Sequence, residues 1–109
     1  MSFRETKTKF EDRFFYLKIL EVKNALFAFF YEGEIKVGTL ALALPRMERA
    51  GGGASSVLIG SRFAVTARVL AEKFAERFNK MSFVSINVNL PEAKALKVSV
   101  SLFNKLLPE

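Results

Sequence analysis

The chain has 109 residues, half of them hydrophobic, and a formal charge of +6. It contains no Cys and no His, which excludes disulfides, thiol chemistry, most zinc sites and every Ser-His or imidazole acid–base scheme. The length suits one domain, residues 1–109, with room for one sheet and two or three helices.

No apolar run approaches the roughly 18–20 residues that span a bilayer, so no membrane partner is expected. The opening MSFRETKTKF has no apolar signal core, and a cytoplasmic protein is expected. Many Lys, Arg and Glu with few thermolabile side chains fit a heat-adapted, thermophile-like protein. The positive charge admits an acidic protein or a nucleic acid as partner.

In chain order, Phe3 to Phe10 reads as an edge strand blunted by Lys7 and Lys9. Glu11-Asp12-Arg13 is a polar turn. Phe14 to Val22 is a strand by its aromatic and β-branched content. Lys23-Asn24 closes a two-residue hairpin, with Asn tolerating positive φ. Ala25 to Glu32 is a third strand, Gly33 a tight turn, and Ile35 to Leu44 a fourth strand stopped by Pro45. Together these predict an antiparallel meander.

Residues 45–56, PRMERAGGGASS, form a flexible loop. Its three glycines could cradle phosphate through backbone amides, but the Lys-Ser/Thr end of a phosphate-binding loop is missing. Val57-Leu58-Ile59 is a short strand, Gly60 a turn, and Ser61 a candidate N-cap. A long helix follows from about Arg62 to Phe78. Phe63, Ala67, Leu70, Phe74 and Phe78 form its apolar stripe, and Asn79 can end it in a left-handed turn.

Met81 to Leu90 alternates cleanly. Val84, Ile86, Val88 and Leu90 point one way, and Phe83, Ser85, Asn87 and Asn89 the other. Pro91-Glu92 suits a helix start. The last segment alternates like a strand but also carries a helical stripe through Leu96, Val100, Phe103 and Leu107; its length and its start favour a helix. The fold class is therefore α+β: an antiparallel β-meander sheet, a long helix after the Gly-rich loop, a further strand and a C-terminal helix.

Both faces of this sheet are apolar. Two helices cover one face. One Phe buries about 150–250 Å², so a few uncovered Phe exceed the ~300–600 Å² patch usual on a monomer. Part of the second face is therefore expected to pack on another copy or a partner. The expected dimer interface is Phe15, Leu17, Ile19, Phe27, Phe29, Tyr31 and Val37.

Chemistry is sparse. The acidic pairs Glu11/Asp12, Glu32/Glu34 and Glu72/Glu76 lie in turns or on a solvated helix face, without a setting that separates two pKa values. Ser55, Ser56 and Ser61 have no His base. No catalytic, metal or cofactor residues are expected, and a non-enzymatic binding protein is the reading. Arg62, Arg68, Lys73, Arg77 and Lys80, with Lys94, Lys97 and Lys105, make a dilute basic surface that leaves a nucleic-acid-binding module as the alternative.

Several strings resemble the small proteasome assembly chaperones, the third and fourth members of the eukaryotic set. RFFYLKILEVKNALFAFFYEGE is similar to that family's central hairpin, VGTLALAL to its next strand, and SSVLIGS with FAVTARVLAEKFAERFNK to its long helix. MSFVSINVNL resembles its last strand. The resemblance implies a non-enzymatic protein without cofactors. It implies a homodimer or a heterodimer with a paralogue, which binds proteasome α subunits during assembly of the α ring. The end, Leu106-Leu107-Pro108-Glu109, lacks the penultimate Tyr of proteasome-docking tails, so contact would use a folded surface or the loop. The expected loop contacts are Arg46, Met47, Arg49, Gly51, Gly52 and Gly53.

Overall fold

A computed structural model describes residues 2–45 and 54–108. The elements are β1 (Ser2–Phe10), β2 (Arg13–Glu21), β3 (Ala25–Tyr31), β4 (Thr39–Ala43), β5 (Ser55–Ile59), α1 (Ala64–Phe78), β6 (Met81–Asn87) and α2 (Glu92–Leu106). The fold is α+β, a six-stranded mixed sheet with both helices packed on it.

Two tight hairpins build the first half. Glu11 and Asp12 both take positive φ (50° and 63°), the twist that a two-residue hairpin needs. Lys23-Asn24 makes the second, closed by the Val22 amide donating to the Ala25 carbonyl at 2.9 Å. The meander ends at β3. β6 inserts between β3 and β4, parallel to β3 from Ala25↔Met81 to Tyr31↔Asn87 and antiparallel to β4, so the strand order is β1-β2-β3-β6-β4-β5.

That insertion shortens the fourth strand. The chain leaving β3 must pass the end of β6 to reach the far side, so the pairing expected from Ile35 onward begins at Thr39. Ile35 and Val37 are exposed in the connection. Gly38 lies against β6: a Cβ there would stand 2.0 Å from the Ile86 carbonyl oxygen. Its amide donates to Ser85 Oγ at 2.9 Å. Ser55 and Ser56, read as loop, open β5 instead. Residues 46–53 of that loop lie outside the described residues.

The helices share one face of the sheet. α1 packs over β4, β6 and β5, and α2 over β1 and β2. Ala67, Leu70, Ala71 and Phe74 of α1 are fully buried, along the stripe the spacing predicts. Phe74 sits at the junction, edge-on to Phe103 of α2 at 4.8 Å and tilted against Phe30 of β3 at 6.2 Å. The last segment is helical throughout Glu92–Leu106. Its buried line runs through Ala95, Val98, Leu102 and Phe103, leaving Leu96 and Val100 half-buried.

Helix entry differs from expectation. α1 starts at Ala64 after Phe63, whose φ is +63°, and Ser61 makes no cap hydrogen bond. The amino end is satisfied from α2: Glu92 Oε2 accepts from the Thr66 amide at 3.2 Å and its hydroxyl at 2.6 Å. Asn79 leaves α1 in the left-handed conformation, as predicted.

Candidate functional site

The hairpin register assigns each side chain to a face. Ile19 pairs with Ala28 and Leu17 with Phe30, whereas Leu20 pairs with Phe27 and Lys18 with Phe29. Odd residues of β2 therefore share a face with even residues of β3. Phe15, Leu17 and Ile19 point under the helices and are at most 1% exposed. They are core residues of the same chain and cannot join Phe27 and Phe29 on one outer surface. This corrects the expected seven-residue grouping. The two-residue hairpin loop makes paired residue numbers sum to an odd value, which inverts parity between the strands.

The face without helices carries Phe27, Phe29 and Tyr31 of β3 together with Leu20 of β2. Register adds Phe83 of β6, opposite Phe27, and Leu40 and Leu42 of β4, opposite Ser85 and Phe83. Phe27 and Phe83 stack with centroids 4.8 Å apart and planes within 4°. Tyr16 and Tyr31 stack at 5.3 Å. These side chains cover one another's edges, yet Leu20, Phe27, Phe29, Phe83, Leu40 and Leu42 all remain half-exposed. An apolar patch this continuous is a marker of an interaction surface.

One side of the face is dressed with charge. Lys18 lies over the Phe3 ring at 5.5 Å and Lys7 over Phe14 at 5.1 Å. Such cation–ring contacts keep the outer strand hydrated and discourage edge pairing. The Tyr31 hydroxyl donates to Glu5 Oε2 at 3.2 Å. Burial, then the hydrogen bond and the negative charge of Glu5, push its phenol above the ordinary 10.0.

Of the other expected interface residues, Val37 is 60% exposed on the connection before β4. Arg46, Met47, Arg49, Gly51, Gly52 and Gly53 fall outside the described residues. Phe83, Leu20, Leu40 and Leu42 were not among the expected interface residues. The alternation of β6 does set Phe83 with Ser85, Asn87 and Asn89, but that set reads as a solvated face. Only the β3–β6 pairing shows Phe83 stacked on Phe27.

The basic residues of the helices are engaged. Lys94 pairs with Glu11 at 2.6 Å and Lys80 with Glu21 at 2.7 Å. Arg77 donates to the Leu107 and Pro108 carbonyls and Lys105 to that of Lys7. Among the acidic pairs, Glu32 binds Arg13 and Glu72 accepts from Ser55. Among the described residues no group of three or more acidic side chains could hold a metal ion, and no helix is long and apolar enough to cross a membrane.

No family model matches the chain, and no curated protein matches it in sequence. Among solved structures it is similar to a chain from the crystal structure of a chaperone complex for yeast 20S proteasome assembly. The TM-score is 0.62 and the identity 14%, over 96% of this chain and 91% of the other. At that identity the likeness establishes a shared fold.

Proposed function

We propose that the protein is a non-enzymatic assembly chaperone that binds proteasome α subunits as a dimer and assists construction of the α ring. The observation that carries this reading is the open sheet face centred on the Phe27–Phe83 stack, in a fold shared with a protein of a yeast proteasome assembly complex. A sheet with one helix-covered face and one half-exposed aromatic face lacks a layer on its second side. A second sheet of the same kind supplies it, whether from another copy or from a paralogue. Sheets pack face to face about 10 Å apart, a spacing that interdigitated Phe and Leu side chains fill.

The open face then serves the dimer, and the client α subunit meets an outer surface. No step of this function needs bond chemistry, so neither nucleotide nor metal enters it. The nucleic-acid alternative loses ground because Lys80 and Lys94 pair with carboxylates and Arg77 and Lys105 donate to carbonyls within the chain.

Two measurements test the proposal together. Light scattering after size exclusion is expected to return twice the chain mass. Affinity capture from the native cytosol with mass spectrometry is expected to recover proteasome α subunits. Repeated capture without any proteasome subunit would overturn the client assignment.

A further inference from the structure

Three cations from separate parts of the chain converge on one crevice at the carboxyl ends of the parallel pair β3–β6. Arg13 opens β2, Lys36 lies in the connection before β4, and Arg62 precedes α1; with Glu32, Asn87 and Asn89 they line a recess of about 390 Å³. Crevices at the carboxyl ends of parallel strands are recurrent ligand positions, because the departing connections leave space there. Here β3 departs toward β4 and β6 toward α2.

The charges in the crevice are not balanced. Arg13 spends its guanidinium on Glu32 and the Asn89 carbonyl, both at 2.9 Å, and Glu32 also accepts from the Asn89 amide at 3.2 Å. That closed set pins the loop after β6 and uses up the single carboxylate. Arg62 donates to the neutral Leu90 carbonyl at 3.0 Å and lies over the Phe63 ring at 4.7 Å. Lys36 makes no hydrogen bond or ion pair among the described residues. Two positive charges thus face one recess with no counter-charge from the chain. Convergent like charges repel, and a bound anion relieves that repulsion.

We infer that this crevice binds a compact oxyanion, a carboxylate or a phosphate group, held by Lys36 and Arg62 with the side-chain amides of Asn87 and Asn89 as neutral donors. Arg binds such groups through two parallel N–H bonds, and Lys acts as a point charge. The recess is several times larger than a lone phosphate, and a second one of about 310 Å³ shares Arg62, Asn87 and Val88. The anion therefore fits best as the head of a larger molecule, such as an acidic side chain of a partner peptide or a phosphorylated small molecule. The site lies at the end of the sheet, beyond the Phe27–Phe83 stack.

The test is an amide-detected NMR titration of the full chain at constant ionic strength. One arm uses inorganic phosphate, the other a Glu-rich hexapeptide, with chloride as the reference. Saturable shifts confined to Lys36, Arg62, Asn87 and Asn89 are expected. Lys36→Ala, which removes no hydrogen bond or ion pair among the described residues, is expected to weaken binding about tenfold, whereas Lys105→Ala leaves it unchanged. Saturation by phosphate supports a free or small-molecule anion, and saturation by the peptide alone supports a carboxylate borne by a partner. Shifts that fail to saturate in both arms, or that persist unchanged in Lys36→Ala, overturn the site. Because the proposed dimer is read by mass and this site by shifts, failure of one is distinguishable from failure of the other.

Discussion

Glu92, the first residue of α2, closes the amino end of α1 through Thr66, at 2.6 Å to its hydroxyl and 3.2 Å to its amide. One carboxylate thereby satisfies an orphan helix amide, a buried hydroxyl and the favourable end of a helix dipole, and ties the two helices to each other. Glu92→Ala is expected to lower stability by about 1–2 kcal/mol, read as a lower urea midpoint with an unchanged slope. Glu92→Gln retains an acceptor and is expected to recover part of the loss.

The open face predicts a separation of assembly from folding. Phe83→Asp places a charge beside Phe27 at the middle of the patch, so the mass by light scattering is expected to halve while the far-ultraviolet circular dichroism is retained. Loss of the ring stack itself costs about 0.5–1.5 kcal/mol. Ile35→Asp, on the exposed connection, is the matched control and is expected to leave the mass unchanged. A Phe83→Asp protein that keeps the mass of the parent would remove this face from the interface.

Tyr31 gives a prediction in pH. Its phenol is raised above the ordinary 10.0 by burial and by Glu5, so the unfolded chain loses this proton first as pH rises. The stabilisation is therefore complete below pH 10.0 and is lost as pH climbs through the folded value. The chain has two tyrosines. In Tyr16→Phe the remaining phenolate absorbance is expected to appear above pH 10.0, and Glu5→Gln to move it downward. Tyr31→Phe is expected to flatten the alkaline fall in stability.

Gly38 is a position where a methyl group is too much. The Cβ of Gly38→Ala would lie 2.0 Å from the Ile86 carbonyl oxygen and 2.7 Å from its carbon, both backbone atoms that cannot swing aside. A cost of about 3 kcal/mol is expected, measured by chemical denaturation. Local fraying where β4 meets β6 should show as faster amide exchange at Thr39 and Ile86.

Much of this fold is written in local patterns. The alternation of Val84 and Ile86, the stripe from Phe63 to Phe74 and the turn at Lys23-Asn24 each depend on neighbours within a few residues, and each is found where those neighbours imply, although β6 ends at Asn87, short of the Val88 and Leu90 that continue the pattern. The grouping of Phe15, Leu17 and Ile19 with Phe27 and Phe29 failed for a reason that was also local, since a two-residue hairpin dictates the opposite parity. The insertion of β6 beside β3 is different in kind. It joins Phe27 to Phe83 across more than fifty residues, and no spacing near either residue encodes it. The open aromatic face is accordingly visible as excess aromatic content, while its membership depends on the register. Glu92 as a cap was hidden for the same reason: its partner is Thr66, on the preceding helix, with β6 between them.

The central place of β6 also sets an order of events during synthesis. β1, β2 and β3 can pair as they emerge, because their hairpins close over two residues. β4 and β5 find only each other until residues 81–87 arrive, since β6 is the strand that joins them to the rest. Long-range pairings of this kind form late because loop closure precedes any gain from contact. The nascent chain thus holds two separate sheet fragments, and Phe27 has no Phe83 to stack on until over three-quarters of the chain has been made. A half-made chain cannot present the aromatic surface in its final form, so the proposed pairing between copies would be restricted to finished molecules.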